Sequence, residues 1–409
     1  MQDRIEIIGN ECSKSDCSEQ MALMTAGETE RALAFHKSFP QYSETPLVSL
    51  SAIASMLGLK GIYVKDESLR FDLKAFKVLG GSFAMARHIA ELTDSEVSDM
   101  TYDRLTSDEL KNEIGQITFF TATDGNHGRG VAWAANMLNQ KAVVYMPAGS
   151  ADERFEKIQA EGADATIIDG NYDDAVRLAA AESAKIPGSV VVQDTAWEGY
   201  EKIPGWIMQG YGTMALEADR QLRENAVKPT HIFIQAGVGS LAGAITGYFA
   251  GIYGDDCPKI VVVEARAADC LYRSALAGEY RTVGGEMRTI MAGLACGEPN
   301  TISWEILKNH AAFFASCPDW VAAKGIRILG NPLYGDTRII SGESGAVGMG
   351  LLAALTMYEE YEELREQLGL DENSVVLLFN TEGNTDPQIY REVVWDGEYS
   401  SMTGQYRNK

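Results

Sequence analysis

The chain has 409 residues, of which 45% are hydrophobic and 23% charged, so it is long enough for two domains with hydrophobic cores. Its formal net charge of −23 argues against a nucleic acid or an anionic membrane surface as partner, because both bind clusters of Lys and Arg. No apolar run approaches the roughly 20 residues of a membrane span, and residues 1–4 do not show the basic-then-apolar order of a signal peptide. The sequence therefore predicts a cytoplasmic protein whose partners are small molecules.

Cysteine and histidine spacing gives no sign of a metal. The six cysteines include no CxxC pair, and the five histidines show no HExxH spacing, so we predict neither a disulfide scaffold nor a metal site. Cys270 and Cys296 lie in a Gly- and Met-rich stretch that could cover a site. We expect both to be reduced thiols.

The first informative segment in chain order surrounds Lys77, at residues 74–81 (KAFKVLGG). Apolar neighbours on both sides and two following glycines indicate a lysine in a partly buried place beside a tight backbone. Desolvation there is expected to lower the pKa of Lys77 and leave more neutral amine, the form that attacks a carbonyl. A solvated surface lysine is the alternative for this residue taken alone.

Beyond this segment, short apolar runs alternate with helical patterns, which predicts parallel sheets covered by helices. The first predicted strands are residues 117–122, 142–146, 165–168 and 190–192, and the helices between them are residues 129–138, 152–161 and 173–184. The pattern resumes with a strand at 231–235, a helix from 241 towards 253, a strand at 259–264, a helix around 346–361 and a strand at 374–379. The predicted fold class is α/β.

The order of these elements predicts two parallel-sheet α/β domains, with the smaller inserted in the larger. Residues 1–82 and 195–409 form the predicted large, cofactor-binding domain, and residues 83–194 form the small one. The cleft between them is the expected site.

The loop at residues 124–128 (DGNHG) follows the first strand of the small domain. It places a carboxylate, an amide and an imidazole at the carboxyl end of a parallel strand, the usual ligand edge of open sheets. A capped turn without a ligand is the alternative.

The turn at residues 237–240 (GVGS) follows the predicted strand 231–235 and opens a helix, where free backbone N–H groups and the helix dipole favour a phosphate. A dinucleotide-binding fingerprint is the competing interpretation, with Glu264 as the ribose-binding acid. GxGxxG requires glycine at position 242, however, where this chain has Ala242. A structural turn without a ligand also stays open. A Schiff-base lysine and a phosphate turn together indicate pyridoxal phosphate.

Five segments in this order resemble the fold type II pyridoxal-phosphate enzymes, which include threonine and serine dehydratases, cysteine synthases and tryptophan synthase β chains. The segments are the Lys77 stretch, the 124–128 loop, the 237–240 turn, residues 343–346 (ESGA) and residues 380–385 (NTEGNT), and they cover roughly residues 40–390. Within that group they are most similar to the diaminopropionate ammonia-lyase family.

The resemblance implies a homodimer and a set of site residues. Lys77 is expected to form the Schiff base, Asn126 to contact the ring hydroxyl and Thr381 to face the pyridine nitrogen. The cofactor contacts that the resemblance implies are Lys77, Phe76, Asn126, Gly237, Val238, Gly239, Ser240 and Thr381. The predicted substrate contacts are Asp124, His127, Asp194 and Ser344.

Asp124 departs from the dehydratase pattern, which usually has serine or threonine at this place. A hydroxyl there helps to bind the substrate carboxylate, whereas an anion repels it. We therefore expect Asp124 to hold a cationic β-ammonium group or a proton donor, or to act as a second base on the face opposite Lys77. Asp194 is another candidate of this kind, with a helix or turn cap as its alternative.

A neutral hydroxyl at Thr381 cannot hold a proton on the pyridine nitrogen as a carboxylate does, which favours elimination over transamination. The predicted reaction is the α,β-elimination of 2,3-diaminopropionate to pyruvate and two ammonia, with Lys77 as base for the L-isomer and Asp124 for the D-isomer. The alternatives are a serine or threonine dehydratase or a β-replacing synthase of the same fold. From another class, a catalytically silent amino-acid-binding protein is the alternative.

Overall fold

The structure is a computed structural model that describes residues 4–123 and 125–401, with only the backbone at residue 173. In this part of the chain the strands form one sheet of seven strands and one of four, and helices cover both. The predicted α/β fold class is therefore confirmed.

The strands are β1 Glu6–Gly9, β2 Leu47–Ser49, β3 Gly61–Asp66, β4 Thr118–Ala122, β5 Lys141–Met146, β6 Asp164–Ile167, β7 Val190–Val191, β8 His231–Gln235, β9 Lys259–Ala265, β10 Phe313–Cys317 and β11 Val375–Asn380. The α-helices are α1 Ser18–Ala22, α2 Ala26–Lys37, α3 Ser51–Met56, α4 Val78–Leu92, α5 Tyr102–Leu105, α6 Asp108–Ile114, α7 Asn126–Met137, α8 Asp152–Ala160, α9 Tyr172–Ser183, α10 Lys202–Glu224, α11 Ser240–Tyr253, α12 Cys270–Ala277, α13 Thr301–His310, α14 Asp319–Gly330, α15 Glu343–Met357, α16 Glu362–Leu368 and α17 Pro387–Arg391.

The larger sheet has the strand order β1-β10-β9-β8-β11-β3-β2. Its five central strands pair in parallel, and the short edge strands β1 and β2 pair antiparallel. The smaller sheet has the order β6-β5-β4-β7 and is parallel throughout. Parallel strands need crossover connections, and the helices that supply them bury the faces of both sheets.

Alternate residues of the central strands lie in two separate cores. On β9, Ile260 and Val262 belong to one buried cluster, whereas Val261 and Val263 belong to the other. Successive side chains of a strand point to opposite faces, so a sheet that is covered on both sides needs an apolar residue at every position. This is why β8 and β11 are buried along their full length.

The structure agrees with most predicted elements to within one or two residues, and it adds others. Strands β1, β2, β3 and β10 were not predicted from the sequence. The last predicted helix, around 346–361, is α15 over Glu343–Met357, after which the chain is extended at Tyr358. Its first turn is held by Glu382, whose backbone carbonyl and side chain accept the N–H groups of Gly342 and Ser344. A cap so distant in sequence leaves no local signal.

The four-stranded sheet is built from residues 118–191 alone, and the strands of the seven-stranded sheet lie before and after it in the chain. This arrangement brings the carboxyl ends of β4, β8 and β11 to one region, where the site is located. Among the described residues, no helix is both long and apolar enough to cross a membrane.

Candidate active site

A cavity of about 190 Å³ lies where the two sheets face each other. The predicted site residues that line it are Phe76, Lys77, Asn126, His127, Asp194, Gly237, Val238, Gly239, Ser240, Ser344 and Thr381. Asp124 lies outside the described residues. The structure therefore brings together, in one place, residues that the sequence spreads over some three hundred positions, and their individual roles stay predictions.

Lys77 stands directly before α4, and its amine makes an ion pair with Asp194. The distance from Lys77 Nζ to Asp194 Oδ2 is 2.5 Å, and the two side chains are 21% and 8% exposed. Lys77 precedes α4 and Asp194 follows β7, so this contact joins the start of α4 to a loop of the small sheet. A charge-assisted hydrogen bond of this kind fixes both groups strongly when it is largely shielded from water.

The charge state of Lys77 differs from the sequence-based expectation. Burial has the largest single effect and lowers the pKa of Lys77, as expected, but Asp194, Tyr211 and Cys296 together raise it by more, so the net pKa is above the usual value. The prediction of a lowered Lys77 pKa was wrong, because it took account of desolvation but not of a negatively charged partner. Burial also acts on Asp194, yet His127 and Lys77 hold the pKa of this carboxyl at about 2.

The loop before Lys77 is fixed by a strained backbone and by pairing with the segment after β11. Phe71, Asp72 and Lys74 have φ values of 48°, 59° and 58°, a region that costs non-glycine residues energy unless neighbours hold them there. The Phe76 N–H donates to the Thr381 carbonyl at 3.2 Å, and the Gly383 N–H donates to the Lys74 carbonyl at 2.9 Å. Lys77 is thereby positioned against Thr381.

Asn126 and His127 form the first turn of α7 and are anchored on different partners. Asn126 Nδ2 donates to Glu382 Oε2 at 2.6 Å. His127 Nε2 lies 2.8 Å from the Val192 carbonyl and must carry the proton of that bond, while its Nδ1 is 3.8 Å from Asp194 Oδ2. The imidazole thus orients the carboxylate that pairs with Lys77.

The 237–240 turn has the shape of a phosphate cradle. Gly239 has a φ of +100°, and Ser240 begins α11, whose first N–H groups have no acceptor within the helix. A Cβ at Gly237 would lie 3.2 Å from the Gly293 carbonyl oxygen, so a side chain there would crowd the cavity wall. One carbonyl of the turn is already hydrogen-bonded, because that of Val238 accepts from the Asn300 N–H at 2.7 Å.

Two predicted roles acquire further detail from neighbouring groups. Ser240 Oγ donates to the Asp194 carbonyl at 2.5 Å and accepts from Asn300 Nδ2 at 2.9 Å, so its hydroxyl supports the turn. Thr381 Oγ1 accepts from Gln235 Nε2 at 2.7 Å. This bond leaves the threonine hydroxyl proton available for an acceptor in the cavity, such as a pyridine nitrogen.

The dinucleotide interpretation receives no support from Glu264. Its carboxylate is fully buried and accepts the N–H groups of Leu271 and Tyr272 at 2.8 and 2.6 Å, so it caps α12. Burial raises the pKa of Glu264 well above its usual value. Within residues 4–123 and 125–401, the structure contains no cluster of three or more His, Cys, Asp or Glu that could hold a metal ion.

The acidic residues Glu343 and Glu382 are not among the predicted site residues, although both lie inside the segments that carry the resemblance. Glu382 follows Thr381 and is 6% exposed, and Glu343 precedes Ser344 and is 3% exposed. The available sequence signal was an acidic residue directly beside a predicted site residue. Asn300 and Gln235, which support the turn and Thr381, gave no such signal.

These groups fit pyridoxal phosphate. The cavity offers an amine for its aldehyde, helix N–H groups for its phosphate and a neutral hydroxyl for its ring nitrogen. Gly237 keeps open space beside Gly293, Leu294 and Cys296 that a Cβ would fill.

Comparison with known proteins agrees with this fit. Residues 39–381 match the family model described as pyridoxal-phosphate dependent enzyme. The chain is 50% identical to the diaminopropionate ammonia-lyase of Escherichia coli (strain K12) over 398 residues, which cover 97% of this chain and 98% of that protein.

Solved structures of the E. coli enzyme have the same fold. The holo form matches with a TM-score of 0.90 and 48% identity, covering 98% of this chain and all of that one. Its complex with an aminoacrylate-PLP azomethine reaction intermediate matches with a TM-score of 0.88 and 47% identity, covering 97% and 98% of the two chains. The chain therefore belongs to the pyridoxal-phosphate-dependent enzymes and, within them, to the diaminopropionate ammonia-lyase family.

Proposed function

We propose that this chain catalyses the α,β-elimination of 2,3-diaminopropionate, which with one water gives pyruvate and two ammonia. The observation that carries the proposal is the Lys77 amine, held 2.5 Å from Asp194 in a cavity that also contains a phosphate turn. Identity of 50% to the E. coli ammonia-lyase over nearly the whole length supports the same substrate.

Pyridoxal phosphate, when bound, supplies an electron sink conjugated to the substrate α-carbon. Lys77 Nζ acts as base in its neutral amine form and takes the α-proton of the L-isomer, and Asp194 stabilises the ammonium that results. The electron pair of the broken Cα–H bond forms the Cα–Cβ double bond, and the pair of the Cβ–N bond leaves with nitrogen as ammonia. Hydrolysis of the 2-aminoacrylate gives pyruvate and the second ammonia.

Most of the remaining predicted residues hold or orient the cofactor and the substrate. The 237–240 turn holds the phosphate, Asn126 contacts the ring hydroxyl, and Thr381 donates to the ring nitrogen without protonating it. Phe76 packs beside the ring, and His127 and Ser344 line the substrate side of the cavity. Asp124 removes the α-proton of the D-isomer from the face opposite Lys77.

We further infer that the domains are residues 1–82 with 195–409 and residues 83–194, that the protein acts in the cytoplasm, and that two chains form a homodimer. The homodimer is supported by the family to which the chain belongs. Light scattering of the purified protein is expected to give twice the 44.5 kDa of one chain, and a mass of 44.5 kDa would contradict it.

The test is an assay of pyruvate and ammonia with L- and D-2,3-diaminopropionate, serine, threonine and O-acetylserine. We expect two ammonia per pyruvate from diaminopropionate and a kcat/KM for it above that for every other substrate. Lys77→Ala is expected to lower turnover of the L-isomer at least about 10³-fold and to abolish borohydride fixation of the yellow cofactor. A marked preference for serine would overturn the proposal, and a colourless wild-type protein would overturn the cofactor.

A further inference from the structure

A small chamber adjoins the cofactor cavity beside Lys77, and it is lined by two buried carboxylates. Its lining residues are Lys77, Gly125, Asn126, Arg154, Ala292, Gly293, Glu343 and Glu382. Four of these residues, Lys77, Asn126, Gly293 and Glu382, also line the main cavity. An occupant of the chamber is therefore next to the reacting centre.

The volume of the chamber limits its occupant to a very small group. It measures about 20 Å³, and a cavity needs roughly 10–15 Å³ on this measure to hold one water molecule. An ammonium group has nearly the size of a water molecule. A carboxylate or a phosphate is too large.

Glu343 lines this chamber and has an unsatisfied oxygen. The residue is 3% exposed, and its Oε1 is buried without a hydrogen-bond partner among the described residues. Leaving a buried acceptor unsatisfied costs about 1–3 kcal/mol, so a donor in the chamber would be bound favourably. Glu382 is different, because its oxygens accept from Asn126 Nδ2 at 2.6 Å and from the Ser344 N–H at 3.0 Å.

The charge state of Glu343 depends on its neighbours and on the occupant of the chamber. Burial raises the pKa of Glu343 to about 8, the negative charge of Glu382 adds to the rise, and Asp386 contributes in the same direction. Arg154 acts in the opposite sense, but its guanidinium is also 3.6 Å from Asp386 Oδ2. Lys77 also lines the chamber, so the surrounding charges are of both signs, and a cation bound beside Glu343 would favour its carboxylate form.

We propose that the chamber formed by Glu343 and Glu382 receives the β-ammonium group of the substrate and is what distinguishes diaminopropionate from serine. This inference rests on the proposed function. The β-substituent is only two bonds from the α-carbon, so it lies within reach of a chamber that shares Lys77 with the main cavity. Diaminopropionate and serine differ at this substituent, which is a cation in one and a neutral hydroxyl in the other.

The carboxylates keep the β-nitrogen protonated until the bond breaks. The α-proton goes to Lys77, its electron pair forms the Cα–Cβ bond, and the Cβ–N pair stays on nitrogen, which leaves as neutral NH3. Because the positive charge is lost in this step, the carboxylates bind the substrate more strongly than the transition state. Their removal should therefore act mainly on KM.

The experiment compares Glu343→Gln with wild type on L-2,3-diaminopropionate and L-serine. We expect kcat/KM for diaminopropionate to fall about 10- to 100-fold, mainly through KM, because a charge-assisted hydrogen bond is lost. The value for serine should change less than about threefold. Glu343→Asp, which keeps the carboxylate, should lie between the two. The matched control is Glu359→Gln, an exposed change of the same charge just beyond the end of α15.

Binding alone provides a second readout. On the Lys77→Ala background, where the L-isomer is not turned over, calorimetry should show weaker binding of L-diaminopropionate when Glu343→Gln is added. Serine should bind equally with and without it. This comparison keeps the proposal testable if Glu343→Gln folds but is slow for unrelated reasons.

Several outcomes would overturn the inference. Equal losses for both substrates would give Glu343 a purely structural role, and an unchanged ratio would give it none. If K⁺ activates serine turnover in wild type and this activation disappears in Glu343→Gln, the chamber holds a free monovalent cation instead. A wild-type enzyme that does not act on diaminopropionate is a different result, since it contradicts the proposed function itself.

Discussion

Lys77 keeps its charge although it is buried. Burial alone favours the neutral amine, and the carboxylate at 2.5 Å is the largest of the effects that together reverse this preference. The two residues come from segments 117 positions apart, and His127 contributes to the same balance through Asp194. The reactivity of the lysine is therefore controlled by a residue of the other sheet.

Asp194→Asn is expected to lower the pKa of Lys77 by about one unit or more, because the nearest negative charge is then removed while the desolvation effect stays. The measurement is the rate at which an amine-reactive reagent modifies Lys77 in cofactor-free protein as a function of pH, followed by mass spectrometry. The exposed change Asp255→Asn serves as control. An unchanged labelling midpoint in Asp194→Asn would show that the ion pair does not determine the pKa.

Glu343 is expected to make the stability of the cofactor-free protein depend on pH. Its pKa is near 8 in the folded chain and has the ordinary carboxyl value in the unfolded chain, so between those values the folded state binds the extra proton. The free energy of unfolding then falls as pH rises through this window. Glu343→Gln should be more stable than wild type at pH 8.5, by on the order of 1 kcal/mol, and little different at pH 5. Urea unfolding at both pH values measures this, with Glu359→Gln as control, and a pH-independent difference would contradict it.

At the scale of elements, the site is built from loops that follow strands of both sheets. The turn after β8, the segment after β11 and the start of α7 after β4 meet at the carboxyl ends of parallel strands, where open α/β sheets bind their ligands. The 237–240 turn, for which we propose phosphate binding, depends on Gly239, which adopts a φ of +100° and leads directly into α11.

Gly239→Ala is expected to weaken binding of pyridoxal phosphate about tenfold. The strain of a non-glycine residue at this φ is about 1–3 kcal/mol, and the new Cβ would lie 3.1 Å from Leu271 Cδ1, so the turn must move. Gly188→Ala is a matched control, because Gly188 has a φ of +77° in an exposed loop, where an added Cβ would meet no other atom within 4 Å. Titration followed by cofactor absorbance should show no loss for Gly188→Ala. Equal losses in both variants would refute a local effect.

At the scale of the whole molecule, the cavity couples the two sheets. Asn126, His127 and Asp194 come from the small-sheet segment, whereas the phosphate turn and Thr381 come from the large one. A ligand that contacts both parts in the folded state stabilises both at once.

Pyridoxal phosphate at 100 times its Kd is expected to raise the free energy of unfolding by about 2.7 kcal/mol and to shift a single thermal transition upwards. Calorimetric scans with and without the cofactor measure this, and Lys77→Ala should show a smaller shift. Two transitions of which only one responds would mean that the cofactor is held by one part alone.

The sequence could predict the α/β class and the central parallel strands, because strands such as β8 and β11 are short, mostly apolar runs that alternate with longer helical segments. It could not predict β10, whose Ala315, Ser316 and Cys317 have little intrinsic strand preference and are extended because they pair with β9. Edge strands β1 and β2 are four and three residues long, too short for a periodic signal.

The site shows the same division between what the sequence determines and what the tertiary structure determines. The sequence by itself determined the chemistry: a lysine in an apolar stretch, a glycine turn before a helix and an ordered set of segments that place the chain in its enzyme family. Only the tertiary structure decided the electrostatics, because the Lys77–Asp194 pair and the chamber of Glu343 and Glu382 join positions 117 and 39 residues apart. Charges act through space, and their distances are determined only when the chain has folded.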